Sequence, residues 1–121
     1  MFRVLIVDDS HLLRNRVKEE LLLAFPEISV IEAADGAACD RALDEHCVNL
    51  VIMDIRLKRE NGLGFVPVIL ARCPGTTVVV HSMYDGEEYR QAAAGVGARY
   101  FLSKKKNTLQ DMIAILERHA G

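Results

Sequence analysis

Five short apolar runs, each separated from the next by a stretch of helical periodicity, limit what this chain can fold into more than any other feature. The runs are Arg3–Val7, Ser29–Glu32, Leu50–Met53, Thr77–His81 and Tyr100–Ser103. They are apolar at successive rather than alternate positions, so they predict strands covered on both faces, as in a parallel sheet between helices. Between the first two runs, Leu13, Val17, Leu21 and Ala24 fall on one helical face, and Pro26 ends that helix. A second helix is predicted to open after Asp35-Gly36 around Ala38, Ala42 and Leu43. A last one carries Leu109, Met112, Ile113 and Leu116, with Thr108 and Asp111 spaced as a capping pair. The intervening segments are weaker: Gly64 and Pro67 interrupt one, and Ala92-Ala93-Ala94-Gly95 leaves the other little apolar surface. The alternation predicts an α/β fold, an open parallel sheet with helices on both faces, whose right-handed crossovers restrict the strand order. With 121 residues, the chain (1–121) is expected to be one domain.

Charge and cysteine usage narrow the function classes. Fifteen Lys and Arg stand against 17 Asp and Glu, a net charge of −2, which excludes binding nucleic acid by broad phosphate neutralisation. No uninterrupted apolar run exceeds five residues, as in Leu21 to Phe25, too short to span a membrane, and the N-terminal run stops at Asp8-Asp9, too short for a secretion signal. Cys39, Cys47 and Cys73 are odd in number and contain no C-x-x-C pair, which argues against a disulfide framework and against zinc. Cys39 and Cys73, in apolar helical surroundings, are expected to be small buried hydrophobes. Together these features predict a soluble protein of a reducing, cytoplasmic compartment.

In open parallel sheets, ligands collect beyond the carboxyl ends of the strands. Strand one ends in Asp8 and Asp9, strand three in Asp54, strand four near Ser82 and strand five at Lys104. Each has a plainer reading. Asp9 or Ser10 could cap the first helix, Ser82 could be a loop hydroxyl, and Lys104-Lys105-Lys106 could be a solvated edge. Asp54 is harder to dismiss, because it follows Leu50-Val51-Ile52-Met53 directly and a carboxylate there must be compensated. Their common position at strand ends favours the joint reading. Clustered carboxylates repel unless a cation joins them. An oxygen-only donor set suits Mg²⁺, and a carboxylate can attack phosphorus to give an aspartyl-phosphate. Lys104 and Ser82 would then serve the phosphoryl oxygens. No Gly-rich phosphate loop is present, so nucleotide hydrolysis is a poor reading.

Over essentially its whole length the chain resembles a response-regulator receiver domain of two-component signalling. The resemblance rests on Val4-Leu5-Ile6-Val7-Asp8-Asp9, Val51-Ile52-Met53-Asp54-Ile55-Arg56, Asn61-Gly62, Val78-Val79-Val80-His81-Ser82, and Gly97-Ala98 leading to Phe101-Leu102-Ser103-Lys104. The ordered spacings, 45 from Asp9 to Asp54, 28 to Ser82 and 22 to Lys104, make it specific. It implies a flavodoxin-like (βα)5 fold with a five-stranded sheet in order 2-1-3-4-5. It implies that Asp54 accepts a phosphoryl group, that Asp8, Asp9, Asp54 and the backbone carbonyl of Arg56 hold Mg²⁺ or Mn²⁺, and that Lys104 contacts the phosphoryl group. Ser82 and Phe101 would be the switch pair. The implied partners are a sensor histidine kinase or phosphotransfer protein, an output domain or partner protein, and a second copy on phosphorylation, with no nucleic acid and no membrane.

Some positions depart from the family's common pattern. Lys58 and Lys105 stand where proline is frequent, Ser82 stands for threonine, and Arg56 sets a long cation beside the pocket. Ser10-His11-Leu12-Leu13-Arg14 and the stretch from Val80 to Asp85 are similar to receivers of the LuxR/FixJ type. Two alternatives use the same residues: a small Mg²⁺-dependent phosphatase of haloacid-dehalogenase type and a phosphorylation-independent pseudo-receiver. Arg56 stands where the phosphatase would carry a second acid, and the intact acceptor, metal and lysine positions argue against the pseudo-receiver. The reading is therefore a signalling switch rather than an enzyme.

Overall fold

The computed structural model describes residues 1–120. Its strands are β1 (Arg3–Val7), β2 (Ser29–Ala33), β3 (Leu50–Met53), β4 (Thr77–Ser82) and β5 (Tyr100–Ser103). They form one parallel sheet in the order β2-β1-β3-β4-β5, the flavodoxin-like order expected from the resemblance. β2 and β4 each run one residue further than the sequence suggested, to Ala33 and Ser82.

The helices are α1 (His11–Ala24), α2 (Gly36–Glu45), α3 (Val66–Arg72, preceded by a 3₁₀ turn over Gly62–Phe65), α4 (Glu87–Val96) and α5 (Leu109–Ala120). Strand side chains alternate between faces. Val4, Ile6, Leu50, Ile52 and Val79 pack under Val17 and Leu21 of α1 and Met112, Ile113, Ile115 and Leu116 of α5. Leu5, Val7, Val51, Met53 and Val78 pack under Cys39 and Leu43 of α2 and Val66 and Ile69 of α3. That two-sided burial is why the strands read as unbroken apolar runs. Pro67 sits in the first turn of α3, where its missing N–H leaves no bond unmade. The cap expected near Thr108 forms as one hydrogen bond, from the Thr108 N–H to Asp111 Oδ2 at 2.9 Å. Gly97 ends α4 at φ 109°, a left-handed conformation that suits glycine.

Three expectations are corrected. Cys47 and Cys73 form a disulfide, so Cys73 is not a free buried thiol; only Cys39 is free and buried. The two half-cystines are far apart in sequence, but the loop entering β3 and the C-cap of α3 meet at one end of the sheet. Ala24 is exposed, and the fully buried residues of α1 are Val17 and Leu21. A two-strand antiparallel hairpin, Arg56–Leu57 with Glu60–Asn61, follows β3 where no strand was expected. No helix among the described residues is long and apolar enough to cross a membrane.

Candidate functional site

The sheet's hydrogen-bond ladder carries the site residues one step past each strand. The Asp8 N–H donates to the Ala33 carbonyl at 3.1 Å, the Asp54 N–H to the Val7 carbonyl at 3.0 Å, and the Lys104 N–H to the Ser82 carbonyl at 2.8 Å. Asp8, Asp54 and Lys104 are thus fixed by strand register, not by loop conformation. The Lys104 ammonium donates to Asp8 Oδ2 at 2.7 Å and to Asp54 Oδ2 at 2.9 Å. Carboxylate oxygens of Asp8, Asp9 and Asp54 lie within 4.8 Å of one another. Ser10 takes the helix cap, its Oγ accepting from the Leu13 N–H at 3.2 Å. That frees Asp9, whose Oδ2 accepts from the Lys58 N–H at 3.1 Å.

Asp8 and Asp54 are buried. Burial pushes the Asp54 carboxyl above its usual range, against the opposing pull of the Lys104 hydrogen bonds and charge. For Lys104, burial alone would lower its pKa, but hydrogen bonds and charge from Asp8 and Asp54 outweigh it and the net shift is upward. Asp54 is therefore more basic than a solvated carboxylate, with a cation held on one of its oxygens. The three clustered carboxylates offer only oxygen donors, a set that fits a hard divalent cation.

The other expected residues are placed differently. Ser82 is fully buried, and its Oγ accepts from the Tyr84 N–H at 3.0 Å, within the β4–α4 loop and not on Asp54. Phe101 is half-buried beside Ile55, Leu63, Val80 and Ala93, with the Arg90 guanidinium 4.7 Å from its ring centroid. Arg56 points outward, its guanidinium 4.9 Å from the Tyr84 ring centroid. The Lys104–Lys105 bond is trans, as are all the described peptide bonds.

Sequence reasoning missed the Asp85–Ser103 link. Ser103 Oγ donates to Asp85 Oδ2 at 2.6 Å and accepts from the N–H groups of Lys105 and Lys106. It ties the loop after β4 to the turn after β5, and nothing in a lone Asp or Ser announces it. The Ser103 hydroxyl, foremost, holds Asp85 below the usual carboxylate range.

His81, one residue before Ser82, was also overlooked as a titrating group. Burial first, and the Lys104 charge second, lower its pKa to about 4 from 6.5. As pH falls below 6.5 the unfolded chain takes a proton that the folded chain refuses until about 4, so stability is lost across that window. Between pH 7 and 4.5 the wild type is expected to lose about 2 kcal/mol more than His81→Gln, whose side chain cannot titrate. Urea unfolding of both proteins at the two pH values checks this. Equal losses would refute it.

A five-stranded parallel sheet whose strand ends gather three carboxylates, two of them bound to one lysine, defines a receiver-type domain. The sequence agrees: residues 4–117 match the Response regulator receiver domain family, and the chain belongs to it. Among curated proteins, it is 31% identical over 119 residues to a protein-glutamate methylesterase/protein-glutamine glutaminase of Rhodospirillum rubrum, covering 98% of this chain and 32% of that one. The chain spans less than half the length of curated relatives it matches, among them this one. Among solved structures, the chemotaxis protein CheY4 of Vibrio cholerae superposes with a TM-score of 0.86 at 26% identity, covering 98% of both chains. A response regulator of Burkholderia pseudomallei, crystallised with a phosphorylated aspartic acid, calcium ion and citrate, shares the fold at 17% identity and a TM-score of 0.85. The match covers 94% of this chain and 65% of that one.

Proposed function

We propose that this chain is the phospho-accepting switch of a His-to-Asp phosphorelay. Lys104 bridging Asp8 and Asp54, with Asp9 alongside, is the observation that carries the reading. An Asp54 oxygen attacks the phosphorus of a phosphohistidine on a sensor kinase or phosphotransfer protein. The new O–P bond replaces the donor's P–N bond, whose electron pair and a proton go to the departing imidazole. Lys104 already points at Asp54, so it can pair with a phosphoryl oxygen without repacking. Asp8, Asp9 and Asp54, with the Arg56 carbonyl, would hold Mg²⁺ or Mn²⁺, which would screen the phosphoryl charge.

The switch would then be a competition for one hydroxyl. Ser82 Oγ now accepts from Tyr84; turning it toward the phosphoryl group frees the β4–α4 loop and opens space for Phe101. The changed face would act on an output domain or partner protein, or on a second copy of the chain. A cytoplasmic setting and a LuxR-type regulator fit this reading. The phosphatase alternative is not favoured, because Arg56, where its second acid would stand, is an outward cation stacked on Tyr84.

Incubation with Mg²⁺ and acetyl phosphate followed by intact mass measurement tests the proposal. The wild type is expected to gain one phosphoryl group and Asp54→Asn none. No gain on the wild type, or a gain that survives Asp54→Asn, would sink it. Steady turnover of phosphate esters would point to the phosphatase instead.

A further inference from the structure

The Cys47–Cys73 pair lies at the end of the sheet opposite Asp54, joining the loop before β3 to the C-cap of α3. Its surroundings hold the two backbones together independently of the sulfurs. Thr76 Oγ donates to the Val48 carbonyl at 2.7 Å and the Thr77 N–H to the Asn49 carbonyl at 2.9 Å, while the Cys73 N–H is held within α3 on the Ile69 carbonyl at 2.7 Å. Arg72, next to Cys73, pairs with Asp40 and Asp44 of α2. The Cα atoms of the two cysteines are 5.7 Å apart, within the range a disulfide needs. The pair can therefore open and close while its frame stays in place.

The two sulfurs differ in access. Cys47 is exposed, whereas Cys73 is 2% exposed, inside the apolar cluster with Val48 and Val78. We propose that Cys47–Cys73 is a thiol–disulfide exchange site for small disulfides of the glutathione class, entered through Cys47 and closed by Cys73. The Cys47 thiolate attacks one sulfur of the small disulfide, forming a mixed disulfide and expelling one small thiolate. The Cys73 thiol loses its proton to solvent, and the thiolate then attacks Cys47 Sγ and expels the second small thiolate. One small disulfide is reduced to two thiols, and two protein thiols become one disulfide. Once closed, the bond resists reversal: an incoming thiol reaches only Cys47 Sγ and must expel a buried, poorly solvated Cys73 thiolate. Cys39 takes no part. It is buried, and burial pushes its thiol up to about 11.

The test is equilibration of the whole chain in equal concentrations of reduced and oxidised glutathione. Acid quenching, alkylation in denaturant and intact mass measurement then count the free thiols. The wild type is expected to take one alkyl group, on Cys39. Cys73→Ser is expected to carry one glutathione on Cys47, because the closing sulfur is gone, while Cys47→Ser stays unadducted and takes two alkyl groups. The closed form is also expected to melt about 10 °C above the reduced form. Three alkyl groups on the wild type, a glutathione adduct on Cys47→Ser in place of Cys73→Ser, or equal melting temperatures would overturn the proposal. None of these readouts depends on Asp54 accepting a phosphoryl group.

Discussion

Replacing Gly62 with alanine is expected to remove about 3 kcal/mol or more of stability and to cut the rate of Asp54 phosphorylation at least tenfold. A Cβ at this position would stand 1.8 Å from the Asp54 carbonyl oxygen and 3.1 Å from Met53 Sδ. The first obstacle is backbone, so no side-chain rotation can relieve it. Nor can the backbone give way easily: the Gly62 N–H donates to the Ile55 carbonyl at 2.6 Å, and the Asp54 N–H is bound to β1. Either the segment after the hairpin swings off the strand or the end of β3 is pushed out of register. Overpacking typically costs about 1–3 kcal/mol, and a backbone clash beside Asp54 belongs at or above that upper end. Gly64→Ala is the matched control. Nothing lies within 4 Å of its added Cβ, so a change within about 0.5 kcal/mol is expected. Urea unfolding and acetyl phosphate labelling of both variants decide the matter, and a Gly62→Ala protein as stable as Gly64→Ala would refute it.

The strands and the acidic pocket were legible because both depend on register. An unbroken apolar run as short as Leu50–Met53, set between helical stretches, reads as a strand buried on both faces, and the residue after it stands at the sheet edge. Asp54 therefore announced itself. So did Lys104, once Tyr100–Ser103 was read as the last strand. The choice between Asp9 and Ser10 was not legible, since both types cap helices. The fold divides the two roles, giving Ser10 the cap and Asp9 the pocket.

What stayed hidden depends on contacts between loops. The hairpin over Arg56–Asn61 consists of two-residue strands without an apolar pattern, and it is held from outside: the Lys58 N–H binds Asp9, and Glu60 Oε1 accepts from the Gly36 N–H at 3.0 Å. Lys58 there adopts φ 50°, which a lysine does not signal. The disulfide escaped for a similar reason, since spacing in sequence says nothing about which strand entries lie side by side. Weak apolar patterning did carry information in α4. It fully buries only Ala93, with Tyr89 and Val96 half-buried against the same cluster, and its start is tied by polar contacts such as Arg90 Nε donating to the Asp85 carbonyl at 3.1 Å. An element with so little buried apolar surface can shift at small cost, which suits the switch proposed for Ser82 and Phe101.

Lys104→Met is expected to destabilise the fold by about 3 kcal/mol at pH 7 in the presence of a chelator. The substitution keeps most of the side chain's bulk and removes its charge. It leaves Asp8 and Asp54, whose side chains are 5% and 9% exposed, as like charges without their common ammonium. Breaking a buried ion pair from one side is costly because the other side stays buried and uncompensated. Three consequences separate this cause from lost packing. Adding Asp8→Asn to Lys104→Met should recover a large part of the loss, because it removes one of the two stranded charges. Excess Mg²⁺ should stabilise Lys104→Met more than the wild type, since the ammonium no longer competes for the same oxygens. The third concerns pH. Burial already lifts the Asp54 pKa, and the opposing pull of Lys104 is gone in the variant, so its folded state binds a proton more readily than the unfolded chain does. Relative to the wild type, the variant should therefore regain stability as pH falls from 7 toward 5. Urea midpoints with chelator, with Mg²⁺ and at the two pH values measure all three. If Lys104→Met kept wild-type stability in chelator, or if Mg²⁺ and acid failed to narrow its deficit, the charge balance assigned to this pocket would be wrong.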